Sequence, residues 1–207
     1  VTIAFGTLDE DEVYTVTITT VVNGLGAPPG GTNSASVTTT STDADPDNNA
    51  DSALITITGG AATAPATGFA PGRTTILPAQ PAGLALTGYG DLWIEIPALG
   101  AKLPIVGVPR TRDGWDVTWL GSQAGYLSST AFPTWEGNSV LTSHVTLASG
   151  RPGPFRNLYG LRWDDQVIVH YAGQRYVYSV RTTSAVSASH PSIFRHEERS
   201  WLTLVTC

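Results

Sequence analysis

Trp201-Leu202-Thr203-Leu204-Val205-Thr206-Cys207 is the stretch on which the reading of this chain turns. Taken at period two, Thr203, Val205 and Cys207 share one face and Leu204 and Thr206 the other, which is the side-chain geometry of a β-strand. Cys207 is the only cysteine in the sequence, and a strand end holds it rigidly while leaving it reachable. Working back from this run, further strand signals fall over residues 92–96, 103–108, 138–143, 166–171 and 175–181, with Ala172-Gly173-Gln174 as a hairpin between the last two. The expected architecture over residues 89–207 is a closed β-barrel with short helical insertions, truncated at the C-terminus so that its final strand is missing, in an all-β chain.

Composition agrees. Only 14% of the residues are charged, and Thr, Val and Gly are abundant, which favours strands over helices. The eight carboxylates ahead of residue 72 face no Lys or Arg, whereas beyond it eleven bases face nine acids, giving the net charge of −6. That asymmetry points to two modules. An acidic balance also speaks against nucleic acid or an anionic membrane face, which select clusters of Lys and Arg. The sequence has no run of about 18 apolar residues of the kind that spans a bilayer.

Residues 13–22 alternate like a half-buried strand, and two more short strands are expected near 36–40 and 53–58, separated by turns rich in Gly, Pro, Asn and Asp. Asp43, Asp45 and Asp47 alternate ahead of Asn48, a pattern open to Ca²⁺. Asn48 and Leu54, however, stand where an EF-hand loop needs Gly and Glu, so a solvated hairpin turn is the better reading. Residues 59–83 are mainly Gly, Ala, Pro and Thr with almost no charge, the composition of a disordered tether. The expected organisation is therefore a first module over 1–58, a linker over 59–88 and a barrel over 89–207.

Candidate chemistry centres on Cys207 and on His144, which follows another apolar run. A thiol is a strong nucleophile as thiolate, and a neighbouring imidazolium favours that form. A free cysteine also serves often as a small buried hydrophobe, and spacing alone leaves both readings open.

The surrounding residues carry a resemblance. Thr203-Leu204-Val205-Thr206-Cys207 resembles the TLxTC strand of the sortases, the cysteine transpeptidases of bacterial cell surfaces. Gly137-Asn138-Ser139-Val140-Leu141-Thr142-Ser143-His144 resembles the strand that delivers their histidine, and Ile96-Pro97-Ala98-Leu99-Gly100 with Leu103-Pro104-Ile105 resembles their first hairpin. Ahead of the linker, Asp45-Pro46-Asp47-Asn48-Asn49-Ala50-Asp51 and Ala53-Leu54-Ile55-Thr56-Ile57 resemble the closing part of an Ig-like β-sandwich repeat of bacterial surface proteins.

The sortase resemblance implies that Cys207 attacks the Thr–Gly carbonyl of an LPxTG-like sorting signal to form a thioester, while His144 protonates the departing amine. An amine acceptor from a cell-wall precursor or a protein then resolves the thioester. Thr206 is a candidate for positioning the substrate. The family's catalytic arginine follows the cysteine and is expected beyond residue 207, so Arg195 and Arg199 are not assigned to that role. The segment 184–200, with His190 and His196 as solvated loop residues, is where the family keeps a loop over its peptide groove. His170 is expected to face solvent and to be idle. No cofactor or metal is implied, and the implied location is the extracellular face of a bacterial cell envelope, membrane-anchored in the full-length protein. Ala64-Pro65-Ala66-Thr67-Gly68 itself resembles a sorting signal with Ala leading. Two rival readings are a non-catalytic surface module on a degenerate barrel, and a thiol hydrolase that releases surface proteins.

Overall fold

The computed structural model describes residues 3–7, 12–17, 30–56 and 62–207. Two strands, β1 (Gly30–Ser36) and β2 (Ala50–Thr56), pair antiparallel over their whole length. The strand expected over 36–40 thus lies earlier, in Gly- and Asn-containing residues of poor β-propensity. Their pairing with β2 decides the matter, continued by Val37 N–H donating to Asn49 O at 2.8 Å. Residues 12–17 carry no strand, and Val13 and Tyr14 are exposed, contrary to the alternation read there; residues 18–22 lie outside the described residues. Between β1 and β2, Asp43 accepts from Asn49 Nδ2 at 2.6 Å and from Asp45 N–H at 3.0 Å. Those bonds, the Asn49 side chain first, hold its carboxyl below the usual range, as in a turn closed by its own side chains.

The larger sheet has seven strands: β3 (Thr87–Ile96), β4 (Ala101–Val108), β7 (Ala124–Leu127), β8 (Gly137–Thr142), β9 (Gln166–Tyr171), β10 (Gln174–Ser179) and β11 (Ser200–Val205). A small ribbon of β5 (Arg110–Thr111) and β6 (Gly114–Trp115) stands apart. The order is β10-β9-β3-β4-β7-β8-β11, with β4/β7 and β8/β11 parallel and the other pairs antiparallel. β10 and β11 form the two edges, yet Tyr176 and Tyr178 from one and Leu202 and Leu204 from the other pack on the same core. Tyr178 also donates to Pro133 O at 3.1 Å. The result is a nearly closed, all-β barrel, and the helical insertions among the described residues are single 3₁₀ turns.

The central strands are buried on both faces. In β4, Leu103 and Ile105 join an inner cluster with Leu92, Ile94, Leu141 and Phe155, while Val106 and Val108 join an outer one with Trp115, Leu127, Val140 and Phe194. Side chains that alternate across a strand explain why one strand feeds two cores. The turn Ala172-Gly173 has φ of 50° and 73°, the left-handed pair that a two-residue hairpin needs. His170, expected to be idle, stacks on Trp93 with centroids 3.6 Å apart and lies 3.4 Å from Glu95. The antiparallel register that sets His170 against Trp93 is the cause.

Candidate active site

The parallel pair β8/β11 builds the site. Its register runs from Ser200 opposite Gly137 to Val205 opposite Thr142. Two residues beyond the ends of these strands stand His144 and Cys207. Two hydrogen bonds tie the ends together: Thr142 Oγ1 donates to Val205 O at 2.8 Å at the last paired position, and Thr206 Oγ1 donates to Ser143 O at 3.0 Å just beyond it. Asn138 holds the base of the pair, accepting from Thr203 Oγ1 at 2.7 Å and donating to Ile193 O and Arg195 O at 3.0 Å each. That side chain ties the 184–200 segment to the strand that carries the histidine.

His144 is buried at 2% exposure, its ring tilted against Phe69 at 5.2 Å. Its Nδ1 lies 3.0 Å from Thr67 O, a pure acceptor, so Nδ1 carries the proton. Nε2 is left buried with no hydrogen-bond partner among the described residues, which is the nitrogen available for proton transfer. Behind the histidine, Gly153 donates its N–H to Val145 O at 2.7 Å, and a Cβ at this position would stand 2.1 Å from His144 O. Only glycine fits that approach.

Cys207 is exposed. Its backbone N–H donates to Thr67 Oγ1 at 2.8 Å, and its Sγ lies 3.7 Å from Pro65 O. The hydroxyls fall into one chain: Thr206 gives its proton to Ser143 O, so Thr67 donates to Thr206 Oγ1 across 3.1 Å and accepts from Cys207 N–H. Thr67 therefore touches both candidate residues, through its carbonyl and through its hydroxyl.

This corrects the tether reading. From residue 62 on, the segment expected to be disordered lies along the barrel. Ala64 N–H donates to Ala188 O, Val145 N–H to Thr67 O and Phe69 N–H to Thr146 O, at 2.9, 2.9 and 3.1 Å. Composition correctly says that these residues cannot build a core of their own; they are ordered on a groove that the barrel supplies. The contact was invisible because its partners lie some 77 to 142 positions away. His190 is exposed and hydrogen-bonded to Ser192, and Arg195 pairs with Glu197.

The model of the sortase domain matches residues 94–207. The chain belongs to the sortase family. Among solved structures it is similar to sortase C-1 from Actinomyces oris, at 30% identity over 56% of this chain and 63% of that one, with a TM-score of 0.47. It is likewise similar to sortase A from Corynebacterium diphtheriae, at 27% identity over 56% and 52%, TM-score 0.48. A third is sortase C from Clostridium perfringens with the C-terminal cell wall sorting motif, at 28% identity over 56% and 60%, TM-score 0.46. The chain spans 52 to 63% of the length of these three proteins. No curated protein matches it.

Proposed function

We propose that this chain is a cell-envelope cysteine transpeptidase that cleaves an LPxTG-like sorting signal at its Thr–Gly bond and transfers the new carboxyl end to an amine. One observation carries the reading most directly. The parallel strands β8 and β11 end at Thr142 and Val205, and two residues beyond those ends stand a buried histidine, whose Nε2 has no hydrogen-bond partner among the described residues, and the sole cysteine. Membership of the sortase family supports the same chemistry.

Cys207 acts as the nucleophile and His144 as the acid–base group. The thiol proton passes to the imidazole, the thiolate adds to the threonine carbonyl carbon, and the imidazolium returns the proton to the departing glycine nitrogen. An amine then attacks the thioester and the thiolate leaves. Thr206, fixed through Ser143, positions the peptide through its hydroxyl. The family's catalytic arginine would supply an oxyanion donor, worth about 10²–10³ in rate.

The test is an assay of a Leu-Pro-Ala-Thr-Gly peptide with and without an added amine, on the native sequence and on Cys207→Ala and His144→Ala. Transpeptidation that needs both residues supports the proposal. Free acid as the sole product despite added amine would make the enzyme a hydrolase.

A further inference from the structure

Ala64-Pro65-Ala66-Thr67-Gly68 was noted above for its likeness to a sorting signal, and the fold lays it along the ends of β8 and β11. Ala64 and Pro65 are buried, Ala66 is exposed, Thr67 is buried at 1% and Gly68 is exposed. A groove that reads the first, second and fourth residues of such a motif and ignores the third would bury a peptide in this pattern. Ala64 sits in the apolar cluster of Val106, Val108, Trp115, Ile193 and Phe194, with Leu86 and Val205 packed against it.

The backbone is held as an added strand is held. Ala64 bonds to Ala188 on one side, while Thr67 and Phe69 bond to Val145 and Thr146 on the other, and Gly68 bridges Thr146. Thr67 receives the most attention. Its hydroxyl meets Cys207 N–H and Thr206 Oγ1, and its carbonyl oxygen meets Val145 N–H at 2.9 Å and His144 Nδ1 at 3.0 Å. The Val145 N–H at this distance polarises the carbonyl and suits the oxyanion formed when a nucleophile adds to it.

We infer that Ala64–Gly68 is a sorting signal docked in cis, with Thr67 as the acyl donor, so that the enzyme processes its own chain. The inference rests on the proposed function, whose groove and nucleophile it uses. The step requires rotation about the Cα–Cβ bond of Cys207, turning a sulfur now beside Pro65 O toward the Thr67 carbonyl. The His144 ring turns from Thr67 O so that Nε2 takes the proton of the Cys207 thiol, and the sulfur bonds to the Thr67 carbonyl carbon. The Thr67–Gly68 bond breaks with the proton passing from His144 to the Gly68 nitrogen. A primary amine then takes the acyl group from sulfur, regenerating the thiol and losing one proton. What is delivered is everything ahead of Gly68, including the β1/β2 pair, and the barrel keeps a new N-terminal glycine at residue 68.

Intact-mass analysis of the protein incubated with triglycine tests this, alongside cleavage of a separate Leu-Pro-Ala-Thr-Gly peptide. Expected is one break, between Thr67 and Gly68, with triglycine on the Thr67 carboxyl. Its rate constant should not change on dilution, and it should be lost in Cys207→Ala. An intact segment beside a cleaved peptide overturns the inference and leaves the proposed function standing. A rate that rises with protein concentration overturns the cis donor in favour of processing between molecules, and a break that persists in Cys207→Ala assigns it to another agent. If neither segment nor peptide is cleaved, both readings fall.

Discussion

Thr67 O stands 3.0 Å from His144 Nδ1, and through this contact a residue of the segment ahead of the barrel fixes the tautomer of a buried histidine. Because the acceptor is a main-chain carbonyl, substitution of the Thr67 side chain leaves it in place. Thr67→Val removes only the hydroxyl, with its bonds to Cys207 N–H and Thr206 Oγ1. We expect a loss of about 1–2 kcal/mol in chemical denaturation, together with faster hydrogen exchange at the Cys207 amide. An exchange rate equal to that of the native sequence would contradict the contact.

Gly153→Ala should disturb the histidine loop from behind. The added methyl meets main-chain atoms of His144 and Val145, which cannot swing aside as a side chain does. The expected cost is roughly 1–3 kcal/mol, and the histidine ring resonances should shift in NMR spectra. Unchanged resonances would mean that the loop has room to spare.

Asn138 belongs to the motif that resembles the sortase histidine strand, yet its side chain makes structural bonds. Asn138→Leu orphans the Ile193 and Arg195 carbonyls and the Thr203 hydroxyl. Roughly 2–4 kcal/mol of stability should be lost, with hydrogen exchange rising over residues 190–200. A thermal midpoint equal to that of the native sequence would contradict this.

Tyr126 predicts the alkaline behaviour. Burial first, then the neighbouring Tyr89, pushes its phenol up to about 12, against a smaller opposing effect of the Thr130 side chain. The proton is held more tightly in the folded state, so this contribution is intact below pH 10 and stability falls as pH rises from 10 toward 12. Tyr126→Phe should flatten that slope in denaturation measured across the range. A slope as steep as before would assign the effect to other groups.

The barrel was largely legible because its strands announce themselves locally. Gln166–Tyr171 has β-branched residues on a clear alternation, and it forms β9 with the bounds expected. Ala124–Leu127 was missed, since four residues with a central glycine give little periodicity, and it is a strand only because β4 and β8 flank it. Cys207 and His144 stood out through residue type and flanking motifs. Thr67 did not, because a threonine in a Pro- and Gly-rich stretch has no local signature of burial. Its neighbours, at the ends of β8 and β11, lie far along the chain, and only the pentapeptide pattern hinted at it.

The account rests on Cys207 as a nucleophile served by His144. The most direct measurement is the intact mass of the protein, acid-quenched during turnover of a Leu-Pro-Ala-Thr-Gly peptide. We predict an acyl adduct of the peptide through its threonine, mapped to Cys207 and released by hydroxylamine as a thioester is. It should form about 10²–10⁴-fold more slowly in His144→Ala. Peptide cleavage with no adduct on Cys207, or an adduct forming equally fast without the histidine, would contradict the account.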